Sequence, residues 1–222
     1  AKHERGAVVI VRIVETGLAN VASVRAALRR AGVTAASARC AEDVEQSDAV
    51  VVPGVGSFDS GARALIDARL AGALRERVDA GRPTLGICLG MQLFAERSDE
   101  STGRGEPGLG VLPVPVRRLR AERLPHFGWS EVASPADASV LRPGAAYFAH
   151  SYALTDVARL EEAGFRVAVA TEGETFAAAV ERDGFVACQF HPELSGAYGA
   201  SLIERWLDAA RASFEAAEVM PW

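Results

Sequence analysis

Cysteine occurs at Cys40, Cys88 and Cys188, and Cys88 stands in the pattern most suited to chemistry. It lies in Pro83-Thr84-Leu85-Gly86-Ile87-Cys88-Leu89-Gly90-Met91-Gln92, with a glycine two residues to either side. An apolar run ends at the cysteine and a helix is expected from Leu89, the layout of a nucleophile elbow with cysteine in place of serine. A sharp strand-to-helix turn forces strained dihedrals on its central residue, and flanking glycines remove side chains that would collide there. The sulfur is then aimed at a helix N-terminus, which favours thiolate over thiol. The N–H that follows can donate to an oxyanion. A buried small hydrophobe is the competing reading of any lone cysteine, and GxCxG alone leaves the two balanced.

A thiolate nucleophile needs a base, and there are four histidines: His3, His126, His150 and His191. His3 falls in a terminus expected to fray. His191 stands in Gln189-Phe190-His191-Pro192-Glu193. Pro192 biases His191 to an extended conformation, and in an extended segment residues two apart project to the same side. Glu193 is therefore expected beside the imidazole, fixing its tautomer, so that nucleophile, base and orienter are all present. Without Cys88 this pair would read as a strand-end histidine beside a solvated glutamate. His126 in Pro125-His126-Phe127-Gly128-Trp129 and His150 in Phe148-Ala149-His150-Ser151-Tyr152 read as partly buried histidines that anchor loops.

A second glycine-rich turn follows the apolar run Val50-Val51-Val52. Gly54 and Gly56 in Pro53-Gly54-Val55-Gly56-Ser57-Phe58 let backbone N–H groups point at an anion. GxxxxGK[ST] is absent, and Ser57-Phe58-Asp59 fails to complete GxGxxG, so neither phosphate-loop fingerprint holds. A peptide supplying one N–H opposite Cys88 is preferred over a plain strand-to-helix turn.

Periodicity gives the elements that must position these residues. Val8 to Val14 reads as a buried strand, and Asn20 as the N-cap of a helix carrying Val21, Val24, Ala27, Leu28 and Ala31, ended by Gly32. Thr34 to Ala38, Ala49 to Val52 and Thr84 to Ile87 read as strands, and 58–80 as helical up to Gly81. From 105 to 150 glycine and proline become frequent and short antiparallel strands are expected. Phe176–Glu181 and Phe185–Gln189 flank a hairpin turn at Arg182-Asp183-Gly184. A helix over 199–214 has Leu202, Ile203, Trp206, Leu207, Ala210 and Phe214 as its apolar stripe. The expectation is an α/β fold: a single domain over 1–222 with a mostly parallel central sheet flanked by helices, plus a short antiparallel portion, frayed at 1–6 and 217–222.

A chain of 222 residues is long enough to bury a real core. Its 24 Lys+Arg against 29 Asp+Glu leave a net charge of −5, against a domain held by nucleic-acid phosphates. No apolar run approaches the ~20 residues that cross a bilayer, and polar Ala1–Gly6 before a short apolar run reads as the approach to a strand, not a secretion signal. An odd number of cysteines without a CxxC pair gives neither a disulfide framework nor a zinc cluster, and suits a reducing cytoplasm.

Cys88 in GICLGMQ, with His191 and Glu193 in QFHPE, resembles the class I glutamine amidotransferases, and the likeness spans nearly the whole chain. That family has a flavodoxin-like architecture, hydrolyses glutamine through a γ-glutamyl thioester and delivers ammonia to a synthase partner. The stretches PGVGSF (53–58), GLGVLP (108–113), LPHFGW (124–129), YFAHSY (147–152) and QFHPELSG (189–196) are similar to the branch that forms the glutaminase subunits of imidazole glycerol phosphate synthases, in histidine biosynthesis. Carbamoyl phosphate, anthranilate and GMP relatives share the elbow but usually lack PHxGW and PGVG. The vitamin B6 glutaminase typically has alanine where Leu89 stands.

The resemblance implies a cytoplasmic enzyme that converts L-glutamine to glutamate and ammonia. It would form a heterodimer with a (β/α)₈ cyclase subunit that makes imidazole glycerol phosphate and AICAR from PRFAR. It implies no cofactor, metal, nucleic acid or membrane. By the same resemblance Cys88 is the nucleophile, His191 the base and acid, and Glu193 the orienter. Val55, Gly56 and Leu89 would form the oxyanion hole. Gly54, Gln92, Ser151 and Tyr152 would hold the substrate's amino acid head, and Asn20 and Trp129 would face the partner. The chain departs from the family at Glu15-Thr16-Gly17-Leu18-Ala19-Asn20, where Asp-Tyr-Gly-x-Gly-Asn is usual, at Leu194 (often Lys) and at Ser130 (often Asn). Three other readings stay open: a glutaminase subunit of another amidotransferase, a cysteine peptidase or hydrolase on the same scaffold, and a silent regulatory subunit. The intact Cys88, His191 and Glu193 speak against the last.

Overall fold

Short runs of valine, isoleucine and alanine, buried on both faces, form the middle of a seven-stranded sheet in the computed structural model, which describes residues 9–15, 17, 20–101 and 105–218 and side chains as far as 213. The strands are β1 (Val11–Val14), β2 (Ala35–Ala38), β3 (Ala49–Gly54), β4 (Thr84–Cys88), β5 (Val116–Arg118), β6 (His126–Val132), β7 (Gly144–His150), β8 (Tyr152–Leu154), β9 (Arg166–Glu172), β10 (Glu174–Arg182) and β11 (Phe185–Cys188). The helices are α1 (Val21–Arg30), α2 (Ala41–Glu45), α3 (Phe58–Asp67), α4 (Ala71–Asp79), α5 (Leu89–Leu93), α6 (Val157–Glu162) and α7 (Gly196–Glu218). Of the expected fraying at 1–6 and 217–222, residues 1–6 and 219–222 lie outside the described residues, as do Val8, the expected start of the first strand, and the side chain of Phe214; residues 217 and 218 instead continue α7.

The large sheet runs β2-β1-β3-β4-β11-β10-β9. Its first five strands are parallel, and β10 and β9 extend it antiparallel. The pairs β5–β8 and β6–β7 form separate antiparallel sheets. This is the expected mostly parallel α/β architecture, and the order of its parallel strands is flavodoxin-like. Ligands in such sheets bind beyond the carboxyl ends of the strands, where Gly54 and Cys88 stand.

The sheet separates two cores. Val51 and Leu85 face one, packed with Val24 and Leu28 of α1 and Leu202, Trp206 and Leu207 of α7. Val50 and Val52 face the other, packed with Leu65 of α3, Leu74 of α4 and Met91 of α5. Central parallel strands are covered on both sides, which is why β3 and β4 read as unbroken apolar runs.

Local signals hold where they rest on caps and turns. The Asn20 side chain accepts the Ser23 N–H at 3.2 Å, Gly32 follows α1 at φ 79°, and Asp183 turns the β10–β11 hairpin at φ 52°. Three features differ from expectation. Helix α2 buries only Val44, too little for a helical period to register. The helical stretch over 58–80 breaks in two at Arg69, where φ is 57°. Strand β3 runs on past Val52 to Gly54, the register partner of Cys88, where β4 ends as the elbow pattern predicts.

Candidate active site

Strand β4 passes into α5 with no intervening residue, so Cys88 is both strand end and helix cap, at φ 52° and ψ −111°. Positive φ is costly for a residue with a Cβ and persists only where the surroundings enforce it. The flanking glycines let those surroundings close in around the turn. A Cβ at Gly90 would lie 1.7 Å from the Val52 carbonyl oxygen, and one at Gly86 would meet the Ala187 Cβ at 3.1 Å and Met91 at 3.2 Å. The glycines thus clear space for the neighbouring strands and α5, not for the cysteine itself.

His191 is extended, at φ −99° and ψ 96°, but Glu193 reaches it through a single 3₁₀ turn over Pro192–Leu194, not along an extended strand. Proline suits the first position of such a turn, where no N–H is required. The Leu194 N–H donates to the His191 carbonyl at 3.0 Å and closes the turn. The expected side-by-side pair still forms, with Nδ1 of His191 2.9 Å from Oε1 of Glu193. Ser195 pins the arrangement: its hydroxyl donates to the His191 carbonyl at 2.7 Å and accepts the Tyr147 N–H at 2.9 Å.

Burial alone would pull the His191 pKa down. Hydrogen bonding and charge interaction with Cys88 and Glu193 outweigh it and raise the value to about 10. An imidazolium held between a sulfur and a carboxylate is the protonated half of a Cys–His pair, equipped to protonate a leaving amine.

A cavity of about 380 Å³ opens beside Cys88 and His191. Val55, Gly56 and Leu89 line it, as do Gln92, Ser151 and Tyr152. Gly54 and Glu193 line a second crevice, of about 170 Å³, together with Asn20 and Leu194. His191 and Val55 border both spaces. Trp129 is 58% exposed on β6, two residues from the still more exposed Phe127, and its indole edge lies near Gly196.

The structure corrects the reading of His126 and His150 as partly buried loop anchors. They are buried strand residues facing each other across β6 and β7, with Nδ1 of His126 3.2 Å from Nε2 of His150. Their partnership is cross-strand, so no local sequence pattern reports it. Burial lowers both pKa values, that of His150 to about 3, and keeps the rings neutral. His150 also lines the cavity.

Two residues beside the site escaped sequence reasoning. Gln189, fully buried, approaches the Cys88 sulfur with Nε2 at 3.7 Å and accepts from Gln92 Nε2 at 2.9 Å. It stands two residues before His191, so the alternation used for Glu193 was available for it as well. Glu100 lines the cavity while accepting the Phe58 N–H at 2.7 Å, at the start of α3. Nothing local in the sequence marks it.

The departures from the family pattern have local partners. Glu15 accepts from Ser37 and Arg25, both at 2.7 Å, and the Ser37 hydroxyl is the main cause of its lowered pKa. The Ser130 oxygen lies 2.8 Å from His126 Nε2. Leu194 is half exposed beside the crevice. Thr16 and Ala19 lie outside the described residues. Among the described residues no group of three or more His, Cys, Asp or Glu could hold a metal, and no helix is long and apolar enough to cross a membrane.

Comparison with known proteins follows the same lines. The family described as glutamine amidotransferase class-I matches residues 12–209. The chain is 38% identical over 210 residues to imidazole glycerol phosphate synthase subunit HisH of Renibacterium salmoninarum, covering 91% of this chain and 95% of that one. It is 40% identical over 202 residues to the subunit of the same name from Pectobacterium atrosepticum, covering 88% and 97%. Among solved structures, a putative GMP synthase subunit of Thermoplasma acidophilum matches with a TM-score of 0.71, over 95% of this chain and 98% of that one. At 18% identity that likeness carries the fold alone.

Proposed function

The chain belongs to the class I glutamine amidotransferases, and from this we propose that it is the glutaminase subunit of an imidazole glycerol phosphate synthase. The observation that carries the reading is the elbow cysteine at positive φ, sharing one cavity with a buried histidine held by a glutamate.

The chemistry then runs in two halves. The Cys88 sulfur attacks the side-chain amide carbon of L-glutamine, and the C–N bond breaks as His191 gives its proton to the departing ammonia. A γ-glutamyl thioester remains on Cys88. Water attacks this ester as His191 takes a proton from it, the C–S bond breaks, glutamate leaves, and the thiolate–imidazolium pair is restored. Glu193 holds the imidazole in register throughout. The Leu89 N–H and the peptide between Val55 and Gly56 stabilise the negative oxygen in both halves.

Gln92 and the backbone at Gly54, Ser151 and Tyr152 hold the amino acid head of the substrate. The Gln92 Nε2 already donates to Tyr152 and Gln189. What Gln92 can offer the substrate is its carbonyl oxygen, an acceptor suited to the α-ammonium. The whole chain acts as one domain.

The partner is a cyclase subunit that docks over Asn20 and Trp129, forms a heterodimer in the cytoplasm and carries out the lyase step with the ammonia it receives. Exposed Trp129, Val55 and Leu194 support a docking face beside the crevice. The test is a glutamine analogue that alkylates thiols. A mass increase confined to Cys88, with loss of glutamate release in Cys88→Ala, is the expected result. Peptide cleavage without labelling by the analogue would instead favour a cysteine peptidase.

A further inference from the structure

We propose that Gln189 is a hydrogen-bond donor to the Cys88 sulfur, with its amide held the right way round by the backbone carbonyl of Tyr152. The inference rests on the reading of Cys88 as the nucleophile.

A glutamine amide has a donating and an accepting end, and a contact of 3.7 Å between Gln189 and sulfur does not by itself say which end faces the thiol. The surrounding bonds decide it. A carbonyl can only accept, and that of Tyr152 lies 2.9 Å from the Gln92 amide and 3.0 Å from Nδ1 of His150. Gln92 must therefore present its NH₂ there. The same NH₂ reaches Gln189 at 2.9 Å, so Gln189 must turn its oxygen to Gln92 and its own NH₂ to the sulfur. A flipped Gln189 would set N–H against N–H and oxygen against sulfur in a fully buried place. Unmatched polar groups there are costly.

The other arm from Tyr152 is fixed by the same carbonyl. Nδ1 of His150 carries the proton, so its Nε2 accepts from His126 Nδ1, and His126 Nε2 accepts from the Ser130 hydroxyl. The same carbonyl thus sets the proton positions along both arms. A donor bound to an anion makes a stronger hydrogen bond than one bound to a neutral group. An N–H aimed at the sulfur thus favours the thiolate over the thiol and holds it in place. His191, Glu193, Cys188 and His150 also act on this region electrostatically, and Glu100 lines the cavity. The Gln189 variants below leave all five untouched.

The test is the pH profile of Cys88 alkylation by iodoacetamide in the full chain, read by peptide mass analysis, with exposed Cys40 as the internal reference. Gln189→Met, similar in volume but without the donor, should move the inflection for Cys88 up by about one pH unit, or about tenfold in rate at a fixed lower pH. Gln189→Glu, which offers the sulfur a carboxylate, should move it further. Cys40 should not respond.

An unmoved Cys88 inflection in folded Gln189→Met overturns the inference. If Gln189→Met does not fold, the side-chain ¹⁵N–¹H resonances of Gln189 in the unsubstituted chain decide. They should shift on Cys88→Ala and titrate with the thiol, and resonances indifferent to both overturn the proposal. His191→Asn separates the two levels. If it moves the Cys88 profile while Gln189→Met does not, only the role of Gln189 falls. If neither moves it, the nucleophile reading falls with it.

Discussion

Gly90 of the elbow lies so close to β3 that a Cβ on it would stand 1.7 Å from the carbonyl oxygen of Val52. Neither partner can yield easily, since Val52 is fully buried mid-strand and Gly90 sits in the first turn of α5. Gly90→Ala should destabilise the chain by about 3 kcal/mol or more, the upper end of overpacking costs. Gly86→Ala, whose methyl would meet its neighbours at 3.1–3.2 Å, should cost less. Urea unfolding of the two variants checks the order, and equal stabilities would show that the elbow is looser than these contacts require.

The base and its orienter should separate kinetically. His191→Asn should bring glutamate release close to background, a loss of about 10⁴ or more in kcat. Glu193→Gln should lose less, because an amide oxygen can still accept from Nδ1 of His191. Single-turnover assays with saturating partner would measure both. A variant of His126 that proved more damaging than His191→Asn would contradict the assignment.

Much of this site is legible in sequence because its parts are local. GxCxG announces the elbow, and HPE announces the histidine–glutamate pair even though the connecting turn is 3₁₀ where an extended segment is expected. Asn20, Gly32 and Asp183 mark their cap and turns because each uses its own backbone or the next turn of chain. What stays hidden is whatever forms by pairing across the fold. His126 and His150 meet through the β6–β7 register, and Gln189, Gln92 and Tyr152 come from β11's end, α5 and β8. Helix α2 is missed for a different reason: one buried side chain makes no period.

The buried histidines should leave opposite marks on the pH dependence of stability. His150 has its folded pKa depressed from 6.5 to about 3 by burial. As pH falls below 6.5 the unfolded chain takes up a proton that the folded chain refuses, so stability falls by up to about 1.4 kcal/mol per pH unit on the way to pH 3. His150→Gln should flatten that acid limb. For His191 the folded value is raised from 6.5 to about 10, so its stabilising contribution is complete below 6.5 and fades as pH climbs to 10. The stability gap between the parent chain and His191→Asn should narrow across that alkaline window. Chemical denaturation from pH 4 to pH 10 tests both, and parallel curves for all three proteins would refute them.

Trp129→Ala should weaken association with the cyclase by at least about tenfold, since a large exposed aromatic is the kind of side chain that dominates interfaces. Titration calorimetry with the purified partner would measure it. An unchanged Kd would move the docking face away from β6.

The isolated chain should be a poor glutaminase. Val55 is 44% exposed, and Gly56 follows at φ 97°, a value at which glycine moves freely. The peptide between them can therefore turn toward or away from the reacting oxygen. One oxyanion donor is worth about 10²–10³ in kcat, and docking of the cyclase with its ligand bound should raise the rate by at least that factor. The energy must come from contacts made only in the liganded complex. Glutamate release measured with and without partner and ligand decides, and equal rates would leave that peptide a fixed part of the site.

The carbonyl to which Gln92 and His150 both point belongs to the main chain of Tyr152, not to its side chain. Any amino acid at that position would present the same oxygen. The placement of hydrogens from the sulfur of Cys88 to the hydroxyl of Ser130 is therefore inherited from the path of the backbone. Replacing the tyrosine could change the shape of the cavity, but it could not invert that placement. To reverse it, a variant would have to reroute the backbone at the start of β8.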